Sequence, residues 1–125
     1  MVSLTPDASL WERCFIPAPL IVVGTRESEA GYDFAPKHMC CPMSWVDHFG
    51  FVCTPAHATY RNAEREHEFT VSFLRPDQIV LASLASAPRC EDDEKHSLHV
   101  LPTVEAEVVD GRLIEGAYLH FECTL

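Results

Sequence analysis

Thr59-Tyr60-Arg61-Asn62 places a hydroxyl, a guanidinium and the only asparagine of the chain within one turn of a short predicted helix. A helix N-terminus furnished in this way suits one phosphate or another polar ligand edge, because its free N–H groups and dipole favour negative charge. The plainer alternative is an N-cap, with Thr59 accepting from the backbone two or three residues on and Arg61 in solvent. Arg26, Lys37 and Arg61 converge on this turn only if the first two strands neighbour the loop that starts at Pro55. A second group, His38, Cys40, Cys41, His48, Cys53 and His57, holds zinc-compatible donors within twenty residues. Its spacing matches no closed metal site, so it reads as a loop with exposed histidines and half-buried thiols, and no metal is assigned. The chain has no G-x-S-x-G, P-loop, G-x-G-x-x-G or H-E-x-x-H. No nucleophile set or carboxylate pair is assigned either, so any redox or group-transfer chemistry must come from a cofactor.

Nineteen acidic residues against nine Lys and Arg give a formal net charge of -10. That surface repels phosphate backbones and anionic lipid, which argues against nucleic-acid and membrane-surface binding. A phosphate-bearing ligand must be held locally. No apolar run approaches the roughly 20 residues of a membrane span, and Met1 to Arg13 lacks the pattern of a signal peptide. The cytoplasm is the expected location, and the six cysteines (Cys14, Cys40, Cys41, Cys53, Cys90, Cys123) read as thiols, mostly small buried hydrophobes. Cys40 and Cys41 are adjacent, a poor geometry for bridging each other.

Hydrophobic residues make up 47% of the 125 positions, enough for one core and one domain spanning 1–125. Residues 1–18 read as irregular or briefly helical. Leu20 to Thr25 is a continuous apolar, β-branched run and predicts a buried strand. Glu27 to Gly31 is a turn, and Tyr32 to Ser44, with Pro36 and Pro42, carries at most a short strand or extended loop. Phe49 to Thr54 predicts another strand. Thr59 then caps a short helix that ends near His67. Phe69, Val71 and Phe73 alternate with Thr70 and Ser72, the clearest strand signal in the chain. Pro76 and Asp77 start a second helix through Ile79, Val80, Leu81 and Leu84, which Pro88 closes. Glu91 to Glu94 reads as a solvated acidic loop. Val104, Ala106 and Val108 predict a strand, Asp110-Gly111 a two-residue hairpin turn, and Ala117 to Cys123 a final strand. The spacing predicts a mainly β fold, a small antiparallel barrel with one or two short helices.

The order of these motifs resembles the flavin reductase-like, FMN-binding split-barrel family. The resembling segments are Pro19-x-x-x-x-x-Thr25, Ala35-Pro36 with Lys37-His38, Thr59-x-x-Asn62, Glu68-Phe69-x-Val71-Ser72 and Gly116-Ala117-x-x-x-x-Glu122-Cys123. The resemblance runs from about Pro19 to Cys123. Three departures stand out. Lys37-His38 replaces small hydroxyl residues, Ser72 replaces an asparagine, and the chain stops where the family continues with further strands.

The resemblance implies a split β-barrel that binds FMN, usually as a homodimer, and passes hydride from NAD(P)H to flavin or carries electrons to another acceptor. By position, Ala35, Pro36, Lys37 and His38 lie against the flavin or its phosphate. Cys53 and Thr54 flank the ring through backbone groups, and Thr59 and Asn62 help hold the phosphate-side turn; the reading of the helix start adds Arg61 beside the phosphate. The other reading is a non-catalytic split-barrel module for dimerisation or small-ligand binding that has lost flavin chemistry. A barrel without its last strands exposes an edge that invites pairing.

Overall fold

The computed structural model describes residues 17–28 and 31–125. The expected irregular segment 1–18 therefore lies almost wholly outside the described residues, as does Cys14. The central element is β1 (Ile21–Arg26), which pairs antiparallel with β2 (Tyr32–Lys37) on one side and β5 (Glu68–Phe73) on the other. β8 (Leu119–Thr124) adds to β5, giving the sheet order β2-β1-β5-β8. Two small hairpins complete the β structure: β3 (Cys40–Pro42) with β4 (Phe49–Phe51), and β6 (Thr103–Glu105) with β7 (Arg112–Ile114). Helix α1 (Ala58–Glu66) packs on β1, β2 and β5, and α2 (Ile79–Ala85) packs on β2 and β1. The molecule is mainly β and antiparallel, with two short helices.

The apolar run in β1 is continuous because both faces of the sheet are covered. Val22 enters a core with Phe34, Leu74, Ala82, Ala85, Leu101 and Ile114. Ile21 and Val23 point the other way, to Phe69, Val71 and Phe73. Phe49, Phe73 and Phe121 close that second core edge-on, with ring centroids 5.1–6.0 Å apart, the geometry that aromatic quadrupoles favour. The polar alternates of β5 are buried as well, because β7 lies across them. Thr70 donates to the Arg112 carbonyl at 2.6 Å, and Ser72 accepts from the Ile114 N–H at 2.9 Å.

Three expectations are corrected. The N-cap of α1 is His57, with no side-chain cap bond, and Thr59 falls inside the first turn, buried. A backbone bond from His57 to Thr54 sets the chain entry two residues earlier than the sequence suggested. The strand predicted over Phe49–Thr54 stops at Phe51, and the one through Val108 stops at Glu105. Asp110-Gly111 is not a two-residue turn: six residues, 106–111, connect β6 to β7. Glu122 reshapes this loop by accepting from the N–H groups of Glu107, Val108 and Val109 at 3.1, 2.6 and 3.1 Å. Asp110 is drawn to Arg26 and Tyr32. Gly111 serves close approach, since a Cβ there would lie 2.5 Å from Thr70 Cγ2. Glu91–Glu94 are exposed, as expected of a solvated acidic loop, while the flanking Arg89 and Lys95 pair with Glu27 and Asp33 on the opposite wall.

Glu122 gives a pH-dependent prediction. Partial burial pushes its pKa up, but the three backbone N–H groups and the nearby His120 outweigh that and hold it below the ordinary 4.5. A depressed folded pKa stabilises the fold above the unfolded value and loses that contribution as pH falls through the folded value. Glu122→Gln should cost about 1–2 kcal/mol at pH 7, the scale of hydrogen bonds to a charged acceptor discounted for partial exposure. In urea titrations the gap to the parent chain should narrow as pH drops below 4.5. A gap that is constant with pH would show that the carboxylate charge is not what holds the loop.

Candidate functional site

Strand β2, the start of α1, the end of α2 and the residues that flank the acidic loop border an open cavity of about 450 Å³, within the 300–1,000 Å³ typical of small-molecule sites. Each side of it has a reason in the sequence. Ala35, Pro36 and Lys37 come from β2, an edge strand where a proline costs no ladder bond. Ala58, Thr59 and Arg61 come from the first turn of α1, where backbone N–H groups have no intrahelical acceptor. Ala85 to Pro88 at the end of α2 form a wall of small residues, and Arg89, Lys95 and Asp33 close the far end.

Four of the nine Lys and Arg residues line this one cavity in a chain of net charge -10. They fall into two pairs. Arg89 and Lys95 are neutralised: Arg89 pairs with Glu27 and, at 3.5 Å, with Asp33, and Lys95 lies 3.2 Å from Asp33. Burial pulls the Arg89 pKa down, but Glu27 and Asp33 more than offset this and leave it above its ordinary value, so the guanidinium stays charged. Lys37 and Arg61 have no acidic partner among the described residues, although Arg61 donates to the Ala56 carbonyl at 2.6 Å. Two uncompensated cations beside a helix N-terminus have the chemistry to attract an anion.

Five residues expected at the site, Ala35, Pro36, Lys37, Thr59 and Arg61, line the cavity together. Arg26, the third cation thought to converge, sits at the far end of β1 and pairs with Asp110. His38 follows β2 and is exposed. Cys53 and Thr54 belong to the turn before α1. Cys53 lines a different cavity, against the β3–β4 hairpin, with its sulfur 3.9 Å from His57 Nδ1. Among His38, Cys40, Cys41, His48, Cys53 and His57, no three bring ligand atoms within 4.8 Å of one another.

Asn62 faces inward, 5% exposed. Its amide donates to Thr25 Oγ1 at 3.2 Å, and its carbonyl oxygen accepts from Arg65 at 3.1 Å. It pins α1 to β1. Asn62→Ala should therefore destabilise the fold by about 1–3 kcal/mol, because it leaves a buried hydroxyl and an arginine short of a partner. Chemical denaturation would measure this, and an unchanged midpoint would remove Asn62 from the α1–β1 junction.

Arg89, Lys95, Asp33 and the Ala85–Pro88 wall were not anticipated. A composition signal existed, since Arg89 and Lys95 are the only cations beside Glu91–Glu94. What they face across the fold could not be read from it.

The fold has relatives among known proteins. The flavin reductase like domain family model matches residues 12–125. The chain belongs to the flavin reductase-like family. Component B of nitrilotriacetate monooxygenase from Bacillus cereus superposes with a TM-score of 0.82 at 20% identity, covering 100% of this chain and 68% of the other. Flavoredoxin of Desulfovibrio vulgaris (Miyazaki F) gives 0.80 at 20%, covering 99% and 67%. An NADH:FAD oxidoreductase of Streptomyces globisporus gives 0.81 at 19%, covering 100% and 75%. At these identities the structural likeness speaks for the fold. The mainly β, antiparallel architecture is that of the flavin reductase-like proteins, and family membership supports a flavin-related oxidoreductase role.

The residues present fit a flavin mononucleotide. Its phosphate requires cations that internal acids have not already neutralised, and Lys37 and Arg61 meet that condition. Its ring edge requires backbone donors and acceptors, and edge strand β2 has an unpaired side.

Proposed function

We propose that this chain binds FMN in the β2–α1 cavity and acts as an oxidoreductase that takes hydride from NAD(P)H and passes electrons to a second acceptor. The observation that carries the reading is the pair of uncompensated cations, Lys37 and Arg61, at the N-terminus of α1. Lys37, Arg61 and the first N–H groups of α1 hold the phosphate. Ala35 and Pro36 present the edge of β2 to the ring, with Pro36 limiting the freedom of that edge. Arg89 and Lys95 fix the opposite wall and leave the net positive charge where the phosphate sits. Bound flavin supplies the hydride-accepting chemistry, and the protein supplies orientation.

Residues 1–125 act as one split-barrel domain in the cytoplasm. Among the described residues no helix is long and apolar enough to cross a membrane. The chain works as a homodimer: β8 is an open edge, and Met43, Trp45 and Val46 are exposed apolar side chains. Light scattering should give twice the monomer mass at micromolar concentration, and a stable monomer there would refute the dimer.

Protein purified with added FMN should retain flavin absorbance and oxidise NADH or NADPH. Failure to bind FMN at micromolar concentration would overturn the proposal. The thiols should not participate. Burial, followed by the neighbouring Cys41, pushes the Cys40 pKa above its ordinary value, which disfavours the reactive thiolate. Replacing Cys40 and Cys41 with Ser should leave nicotinamide oxidation within about twofold of the parent rate, well under the tenfold that 1.4 kcal/mol represents. Lost activity with flavin still bound would place these thiols in the mechanism.

A further inference from the structure

We propose that Cys90, Asp92 and His96 form a binding site for a thiophilic divalent cation, with zinc the fitting ion. The three residues lie in the loop after α2, and their donor atoms all fall within 4.8 Å of one another. A second group, Glu94, His96 and His99, meets the same limit and shares His96. One imidazole is thus surrounded by a thiol, two carboxylates and a second imidazole.

The donor chemistry distinguishes this loop from an ordinary acidic one. Carboxylates alone suit calcium or magnesium, which bind hard oxygen ligands. A thiolate and imidazoles select zinc instead, and zinc accepts all three donor classes in tetrahedral sites. Three protein donors leave one position open. Asp92, Glu94 and His99 also line a cavity of about 580 Å³ beside the loop.

The charge balance points the same way. Of the two cations that flank the loop, Arg89 is engaged by Glu27, Asp33 and Asp93, the last through its backbone carbonyl and, at 4.0 Å, its carboxylate, and Lys95 by Asp33 and the Phe34 carbonyl. Neither pairs with Asp92 or Glu94. The side-chain partner of those carboxylates is His96, at 2.9 Å and 3.5 Å. A cation would take over that role, with the Cys90 thiol proton released to solvent on binding. Backbone bonds from Cys90 N to Glu94 O (2.8 Å) and from Asp93 N to Cys90 O (3.0 Å) close the turn that gathers the donors. The donors are exposed, so an ion enters without unfolding the loop.

Titration of the full chain with zinc chloride, followed by calorimetry, tests this. One zinc per chain should bind with micromolar or tighter affinity, and a large excess of magnesium should not displace it. Cys90→Ser and His96→Ala should each weaken binding by at least about tenfold, and Asp92→Asn should weaken it through a different donor. Cobalt(II) should give a thiolate charge-transfer absorption that Cys90→Ser abolishes and Cys41→Ser preserves. The metal-free variants should keep the parent circular dichroism, because the altered side chains are exposed. The proposal fails if zinc shows no saturable uptake at micromolar concentration, if magnesium competes, or if binding survives the Cys90 and His96 replacements. FMN binding is a separate measurement, so either reading can fail without the other.

Discussion

Replacing Lys37 and Arg61 together with Gln should weaken FMN binding between about a hundredfold and ten-thousandfold, from two lost charged hydrogen-bonding partners at roughly 1.5–3 kcal/mol each. Each single replacement should cost about ten- to a hundredfold on the same scale. Charge placement sets the size of this loss. With a formal net charge of -10, the chain repels a dianion at long range, so affinity depends on the few cations left without an internal acid. Arg61→Lys separates charge from scaffolding. The Arg61 guanidinium also bonds the Ala56 carbonyl, and a lysine keeps the charge without the forked geometry. Flavin fluorescence titration reads the affinity directly. Binding in the double variant should also become less sensitive to salt, because fewer exposed cations contribute. Unchanged FMN affinity in the double variant would show that the phosphate lies elsewhere.

The sequence revealed elements whose residue pattern depends on neighbours along the chain. Phe69, Val71 and Phe73 alternate because they share one face of β5, and the unbroken run in β1 reflects cover on both faces. It could not reveal that Thr70 and Ser72 are buried too. Their polar character resembles a solvent face until β7, 42 residues later in the chain, is laid across them. The site divides along the same line. Ala35, Pro36, Lys37, Thr59 and Arg61 were reachable from motif order. Arg89 and Lys95 were not, because their role depends on Asp33, some sixty positions away.

Asn62 shows how a local reading can choose the wrong face of a helix. Its proximity to Arg61 suggested a shared ligand. Thr59, Asn62 and Ala63 instead stand at i, i+3 and i+4, the spacing of an inward stripe, and all three are buried. The polarity of Thr59 and Asn62 hid that stripe. Polar residues take inward positions when a partner awaits them, here Thr25 of β1 for Asn62. Arg61, one position earlier, points outward to the cavity.

Lys95→Met should destabilise the chain by about 3 kcal/mol, the lower end of the cost of breaking a buried ion pair. The Lys95 side chain is 10% exposed and that of Asp33 4%, with 3.2 Å between them. The ammonium also donates to the Phe34 carbonyl at 2.8 Å. Removing it leaves the Asp33 carboxylate in the protein interior with Arg89 alone, at 3.5 Å. That remaining partner keeps the loss at the lower end. For a chain of this size the melting midpoint should fall by roughly 10 °C. Neutralising both partners, as Asp33→Asn with Lys95→Met, should recover much of the loss, because no charge is then stranded. The double-mutant cycle gives the coupling energy directly. FMN affinity should respond far less to Lys95→Met than to Arg61→Gln, since the Lys95 charge is already taken up by Asp33. A stability loss below about 1 kcal/mol would place the pair in solvent-like surroundings, where such contacts contribute little. A larger loss of FMN affinity than of stability would make Lys95 a phosphate ligand rather than the brace of the cavity wall.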